Sequence, residues 1–253
     1  MVKVIVNGAL GRMGTRILAC AADDAEVDVV GAVDVVEHGD DPHVGTDLAD
    51  LVGDADVVID FTSHIGVPAT IDIVAAAGKA LVIGTTGLTR DEQQSLDRAA
   101  GRVPIVYAPN MGVGVNVLFQ VVGPIAKTLG SAYDVEIVEA HHNQKKDAPS
   151  GTARKLAENI AAALGRDLGK DGVYGREGVV GARPPGEIGV HAVRAGDIVG
   201  EHTVIFAGPG ERIELTHRAH SRDTFARGAL RAAKWVVGKP PKLYSMLDVL
   251  GLA

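Results

Sequence analysis

Val2-Lys-Val-Ile-Val-Asn-Gly8-Ala-Leu-Gly11-Arg-Met-Gly14 decides how the first half of this chain folds. A short apolar run, Val2 to Val6, meets a turn with three glycines, and an apolar helical pattern follows from Arg12 to Ala22. This strand-turn-helix order is the context of a dinucleotide fingerprint. Glycines there let the backbone approach a pyrophosphate, and the helix start faces its charge. The spacing is GxxGxxG where the usual form is GxGxxG, so the turn alone also fits a plain strand-helix joint. Asp34 adds to the dinucleotide reading. It closes a second predicted strand, Val27 to Val33, twenty residues after Gly14, where an acid binds the adenosine ribose hydroxyls. A carboxylate there repels a 2′-phosphate, and Val35 and Val36 offer no cation, which favours NADH. Arg12 and Lys3 leave NADPH use open.

Working outward, Val57 to Phe61, Ala80 to Gly84 and Pro104 to Tyr107 are further short apolar runs with helical segments between them. Strands alternating with helices predict an α/β fold with a Rossmann-like, doubly wound parallel sheet. Runs that are apolar throughout suit strands covered on both faces. The turns Gly84-Thr85-Thr86-Gly87 and Ala108-Pro109-Asn110-Met111 follow two of these runs, at strand ends where such folds bind ligands.

Beyond about Gly114 the pattern changes. Val115 to Leu129 predicts a long apolar helix, Tyr133 to Ala140 a strand, and Gly151 to Leu164 a helix stopped by Gly165. Glu187 to Arg194, Glu201 to Ala207 and Arg212 to His217 read as consecutive strands, so a central α+β domain with a mixed or antiparallel sheet is expected. Thr224 to Val237 predicts a final amphipathic helix, and the Gly-rich, charged stretch from Gly165 to Pro185 a flexible excursion.

Composition narrows the function classes. The 253 residues carry a net charge of −7 and 4% aromatics, which argues against nucleic acid as the main partner. No uninterrupted apolar run approaches the length of a membrane span, and the N-terminus reads as a first strand, so a cytoplasmic protein is expected. The single cysteine, Cys20, sits in an apolar helical stretch and reads as a core thiol.

The densest chemistry lies in Glu139-Ala-His141-His142-Asn-Gln-Lys145-Lys146-Asp147-Ala-Pro-Ser150-Gly151-Thr152. Imidazoles move protons near neutral pH, and ammonium groups donate protons or bind anions. His141 and His142 end a strand and diverge if it stays extended. Ser150 is the predicted N-cap of the next helix, and the Gly151 and Thr152 amides then point toward an anion. A solvated basic loop before an ordinary helix start is the plainer alternative. A metal site is not expected, because no carboxylate stands at a recognised spacing to the histidines.

These motifs resemble the 4-hydroxy-tetrahydrodipicolinate (dihydrodipicolinate) reductase family over essentially the whole chain. Gly8 to Gly14, Asp60-Phe-Thr62, Gly84 to Gly87, Asn110 to Asn116, Glu139 to His142, Arg194 to Thr203 and His217 to Arg222 carry the resemblance, and Lys145 to Thr152 is its most specific part. It implies reduction of 4-hydroxy-tetrahydrodipicolinate, via dihydrodipicolinate, to tetrahydrodipicolinate with NAD(P)H in lysine and diaminopimelate biosynthesis. It implies a nucleotide domain, residues 1–112 completed by 222–253, and a substrate-binding and oligomerisation domain, residues 113–221, in a homotetramer. His141 and Lys145 match the family's catalytic positions, and His142, Ser150, Gly151 and Thr152 its substrate-binding segment. Gly8, Ala9, Leu10, Gly11, Arg12, Met13, Asp34, Gly84, Thr85, Thr86, Ala108, Pro109, Asn110 and Met111 match its cofactor contacts. Three departures stand out: Asp34-Val35 replaces an acid-arginine pair, Ser63 an arginine, and Asn143-Gln144 a more basic pair of some relatives. Another Rossmann reductase, or a non-catalytic dinucleotide sensor, would share the glycine turn without needing the grip at Gly151-Thr152.

Overall fold

The computed structural model describes residues 1–35 and 44–253; Val36 lies outside them. In chain order the elements are β1 (Val2–Asn7), α1 (Gly14–Ala22), β2 (Val27–Val33), β3 (Val44–Gly45), α2 (Leu48–Leu51), β4 (Val57–Asp60), α3 (Val67–Ala76), β5 (Ala80–Ile83), α4 (Arg90–Ala100) and β6 (Pro104–Tyr107). They continue as α5 (Val113–Leu129), β7 (Asp134–His141), α6 (Gly151–Leu164), α7 (Leu168–Asp171), β8 (Gly172–Val173), β9 (Ile188–Arg194), β10 (Gly200–Gly208), β11 (Glu211–Ala219), α8 (Asp223–Val236), β12 (Lys242–Tyr244) and α9 (Met246–Leu250). They form two compact units, Met1–Val113 with Arg222–Ala253, and Gly114–Ser221.

The first unit holds a seven-stranded sheet in the order β12-β6-β5-β4-β1-β2-β3, parallel throughout. Alternate residues of its strands feed opposite cores. Val4, Val6, Val57 and Ile59 pack with Ile17 of α1 and Ala229 and Ala233 of α8, whereas Ile5, Val58, Leu81 and Ile83 pack with Ile71 of α3 and Leu96 of α4. The sheet is therefore doubly wound, and the strand order reverses between β1 and β4. Ligand sites of such sheets lie outside the strand ends at that reversal.

The second unit holds a mixed sheet ordered β11-β10-β7-β9-β8. β7 pairs antiparallel with β10 and parallel with β9, because the connection from β7 to β9 passes through α6. Helices α5 and α6 supply Leu118, Val122, Leu156 and Ile160 to a core with Val135 and Ile137 of β7 and Val204 and Phe206 of β10. By length and composition Val113–Ala132 is apolar enough to cross a membrane; here its buried residues serve this core.

Some local expectations change. α1 begins at Gly14 and not at Arg12, because Gly11 to Met13 still belong to the turn. The stretch 165–185 is no featureless excursion: it contains α7 and β8, and two arginines pin it to β7. Arg183 bonds Asp134 at 2.6 Å and Glu136 at 2.9 Å, and Arg176 bonds Glu136 at 2.8 Å and Glu187 at 2.9 Å. Burial pushes the Glu136 carboxyl up, but Arg176, His191 and Arg183 outweigh it and hold it at about 2.

α8 packs against the segment that follows β6 through Gly228. A Cβ at Gly228 would lie 1.8 Å from the Met111 carbonyl oxygen. Replacing a mid-helix glycine by alanine gains about 1 kcal/mol in propensity, but forced overpacking costs about 1–3 kcal/mol. Gly228→Ala is expected to be net destabilising, with a Tm several degrees below the parent by calorimetry.

Candidate active site

In the first unit the glycine turn closes over the end of β1. Gly8 takes φ +83°, and a Cβ there would meet the Phe61 carbonyl oxygen at 2.7 Å, so only glycine fits. The amides of Gly8 and Ala9 donate to the Val33 carbonyl at 2.9 and 3.0 Å, tying the turn to β2. The Leu10 amide donates to Asp34 Oδ2 at 2.9 Å. Asp34 thus braces the turn as well as flanking a cavity of about 480 Å³, whose lining includes Gly8, Gly11, Asp34, Val35 and Asp47. A second cavity of about 450 Å³ is lined by Gly11, Arg12, Met13, Gly84, Thr85, Thr86, Pro109, Asn110 and Met111. Both volumes suit a small-molecule site. Ala9 and Ala108 lie behind these linings in the core.

Sequence reasoning placed no role on Asp60, which is fully buried at the end of β4. Its carboxyl oxygens accept from Asn7 Nδ2 at 2.9 Å, Thr70 Oγ1 at 2.9 Å, Thr85 Oγ1 at 2.7 Å and the Thr62 hydroxyl at 2.9 Å. One side chain therefore joins β1, the loop after β4, α3 and the loop after β5.

In the second unit, β7 carries Glu139 and His141 two residues apart, hence on one face. Glu139 is fully buried. Its carboxylate accepts from His141 Nδ1 at 2.6 Å, from both terminal nitrogens of Arg194 at 2.8 Å, and from the Ser150 amide at 3.0 Å. Burial pushes this carboxyl up, but the His141, Arg194 and Ser150 hydrogen bonds outweigh it and hold it at about 2.

Ser150 is the N-cap of α6: its hydroxyl accepts from the Ala153 amide at 3.1 Å and meets His202 Nε2 at 3.0 Å. Being 2% exposed, it spends its polar groups inside the protein, so its part is to hold the turn. Gly151 and Thr152 form the first turn of α6, whose N–H groups point toward the helix start. Lys145 Nζ bonds Asp147 at 2.9 Å, and its side chain is 20% exposed. Asn143, Gln144 and Lys146 are exposed. His142 follows directly after β7, half-buried. His202, opposite Glu139 on β10, packs edge-on against His141 with ring centroids 5.1 Å apart. Burial, then the neighbouring His141, push its pKa down to about 3, so the ring is neutral.

Residues 2–111 match the family model described as "Dihydrodipicolinate reductase, N-terminus", and residues 114–250 the one described as "Dihydrodipicolinate reductase, C-terminus". The chain belongs to the dihydrodipicolinate reductase family. It is 53% identical to the 4-hydroxy-tetrahydrodipicolinate reductase of Anaeromyxobacter sp. (strain Fw109-5), covering 100% of this chain and 98% of the relative. It is 50% identical to the enzyme of that name from Syntrophus aciditrophicus, covering 99% of each. Among solved structures, dipicolinate-bound dihydrodipicolinate reductase from Paenisporosarcina sp. TG-14 superposes with a TM-score of 0.78 at 27% identity, covering 98% of both chains. NAD-bound GenD2 of gentamicin biosynthesis, at 18% identity and a TM-score of 0.63, shares the fold.

Membership makes the chain a pyridine-nucleotide-dependent reductase. The residues fit that cofactor: a turn that only glycine can make, a carboxylate at the end of β2, and two cavities flanking the turn. Glu139, Arg194 and His202 fall within segments that carry the resemblance but received no role from the sequence, although the period of two along β7 already placed Glu139 beside His141.

The depressed pKa of His202 has a sign for stability. Between its unfolded value of 6.5 and its folded value of about 3, the unfolded chain binds the extra proton, so stability falls as pH falls through that window. Glu139, shifted from 4.5 to about 2, adds a loss only below 4.5. Between pH 6.5 and 4.5, His202→Asn is expected to flatten the fall of urea-unfolding stability with acid, by at most about 1.4 kcal/mol per pH unit. An unchanged slope would remove His202 as its source.

Proposed function

We propose that this chain reduces 4-hydroxy-tetrahydrodipicolinate, via dihydrodipicolinate, to tetrahydrodipicolinate, with NADH preferred over NADPH, as a cytoplasmic homotetramer of lysine and diaminopimelate biosynthesis. The observation carrying it is one segment, 139–152, in which Glu139 holds the His141 imidazole and the Ser150 helix start while Asp147 holds the Lys145 ammonium. The turn Gly8 to Met13, with Asp34, would hold the adenosine and pyrophosphate. Gly84 to Thr86 and Ala108 to Met111 would hold the nicotinamide side.

Once the 4-hydroxyl has left as water, NADH, when bound, would supply a hydride to ring carbon C4 of the conjugated cyclic imine. Electron density then moves along C=C–C=N, and a proton added at the ring carbon beside C4 leaves the C=N bond intact. Lys145 is the proton donor in this reading, with His141 donating or relaying. The first-turn amides of α6, at Gly151 and Thr152, grip one substrate carboxylate, with His142 beside them, and fix the ring for transfer. The second carboxylate adds to the demand for cations, which Lys145 meets. Lys146, exposed beside it, is a solvated neighbour.

Support for NADH comes from charge. Asp34 and Asp47 both line the adenosine-side cavity, and no lysine or arginine is among its described lining residues. A 2′-phosphate there would meet two carboxylates and no lysine or arginine among the described lining residues. Support for assembly comes from β11, a nine-residue strand with one neighbour at the edge of its sheet, which a second copy would cover.

Three measurements test this. With pyruvate, aspartate-semialdehyde and the condensing synthase generating substrate in situ, the chain is expected to consume NADH; a flat absorbance trace would refute the activity. Lys145→Ala is expected to lower kcat/KM by about 10²–10⁴-fold, leaving NADH affinity unchanged, and a wild-type value would remove Lys145 from its role. In calorimetry, NADH is expected to bind at least about tenfold more tightly than NADPH, a gap of about 1.4 kcal/mol; a clear NADPH preference would overturn the charge argument.

A further inference from the structure

We infer that Glu139 is the positioning residue of the reductase site: it fixes His141 as the tautomer protonated on Nδ1, with Nε2 presented for proton transfer, and locks that ring to the carboxylate-gripping start of α6. The inference rests on the proposed roles of His141, Gly151 and Thr152, and adds what holds them in register.

Glu139 is poised to act through other groups and not on substrate. It has no solvent exposure, and the protein's own donors occupy both carboxylate oxygens: His141 Nδ1 and Arg194 Nη1 on one, the Ser150 amide and Arg194 Nη2 on the other. A carboxylate this surrounded stays an acceptor, so the hydrogen it receives from the imidazole is the Nδ1 hydrogen. The remaining ring nitrogen, Nε2, is then the one that exchanges protons, as the partner of a second nitrogen decides in any histidine. Gly200 on β10 makes room for it: a Cβ there would lie 3.1 Å from His141 Nε2. The neutral His202 ring packs against His141 from the same strand.

The same carboxylate reaches eleven residues along the chain. Its bond to the Ser150 amide sets the N-cap from which Gly151 and Thr152 extend. Arg194 closes the arrangement. Besides its paired bonds to Glu139, Arg194 Nη2 donates at 2.7 Å to the backbone carbonyl of Asp147, the residue whose carboxylate accepts from Lys145. The Ala195 amide donates to the His141 carbonyl at 2.9 Å, and the Asn143 amide to the Gly196 carbonyl at 3.1 Å. The proton donors and the helix start are therefore parts of one hydrogen-bonded frame with Glu139 at its centre. A donor that must meet a ring atom within a few tenths of an ångström, while the ring hangs from a carboxylate elsewhere in the loop, needs such a frame.

The test uses the full-length chain with ¹⁵N-labelled histidine. At alkaline pH the His141 resonances, assigned by their loss in His141→Ala, are expected to show a protonated Nδ1 and a bare Nε2. Glu139→Gln keeps the side-chain size but presents an amide of either sense, and is expected to mix the two tautomers. In turnover assays Glu139→Gln is expected to lower kcat by about 10²-fold and to raise KM for the dicarboxylate, while KM for NADH stays within about twofold. In a His141→Ala background the same substitution is expected to lower kcat by less than about threefold, because the group it acts through is gone. Equal losses in both backgrounds, or wild-type kcat and tautomer in Glu139→Gln, would overturn the inference. If Glu139→Gln does not fold, the native spectrum decides alone: a proton on Nε2 and none on Nδ1 would overturn it. If the chain consumes no NADH, the proposed activity falls, and the tautomer still reports on Glu139.

Discussion

A carboxylate taken wholly out of water must find all its hydrogen bonds inside the protein, and each unit of this chain gathers its loops around one such group. Removing a carboxylate from solvent costs several kcal/mol unless donors replace the lost water. Asp60 recruits Asn7, Thr62, Thr70 and Thr85, which come from the end of β1 and from α3 and two strand-end loops. Glu139 recruits His141, Ser150 and Arg194, from the end of β7, the start of α6 and the end of β9. Glycine-rich and polar loops have little apolar surface with which to fix themselves. Here the penalty of an unsatisfied buried charge does that work, since each donor removed leaves a carboxylate lone pair without its partner. Asp60 ends β4 and Glu139 lies two residues before the end of β7, where loops converge and a site can be built.

The fold was legible in the chain because it rests on periodicity. Residues apolar throughout, as in Val57-Val-Ile59, announce a strand covered on both faces, and β4 is buried along its length. The glycine turn between Asn7 and Gly14 announced a strand-turn-helix joint, and the steric reason is now explicit, since a Cβ at Gly14 would sit 2.1 Å from the Gly8 carbonyl oxygen. Very short elements escaped because two or three residues carry no period: β3, β8 and β12 are held by register with longer neighbours and not by their own pattern. The stretch 165–185 was misread for a different reason. Its glycines suggested looseness, whereas its order comes from Arg176 and Arg183 reaching across to β7, a long-range pairing that composition does not encode.

The candidate site was legible by type and not by partnership. His141, Lys145 and the Ser150-Gly151-Thr152 helix start announced themselves by clustering reactive groups in one loop. Their organisers did not, because Glu139 looks like a strand residue, Arg194 lies fifty-five positions away, and His202 belongs to a later strand. Ser150 shows the converse. A hydroxyl beside a helix start suggests a ligand contact, yet this one is consumed by Ala153 and His202, and its value lies in setting the amides that follow. In the first unit, Asp34 serves twice, accepting from the Leu10 amide and placing a carboxylate at the cavity beside the glycine turn.

The central claim is that the loop from Glu139 to Thr152 is a carboxylate-gripping, proton-donating half-site. Backbone amide mapping by ¹H–¹⁵N NMR, with dipicolinate titrated into the NADH-loaded chain, tests it most directly. Dipicolinate is planar, carries two carboxylates and cannot be turned over along this route. The account predicts that the largest shifts fall on Gly151 and Thr152, followed by His141 to Lys145, and that they saturate together. Saturating shifts confined to other segments, with Gly151 and Thr152 unmoved, would contradict it.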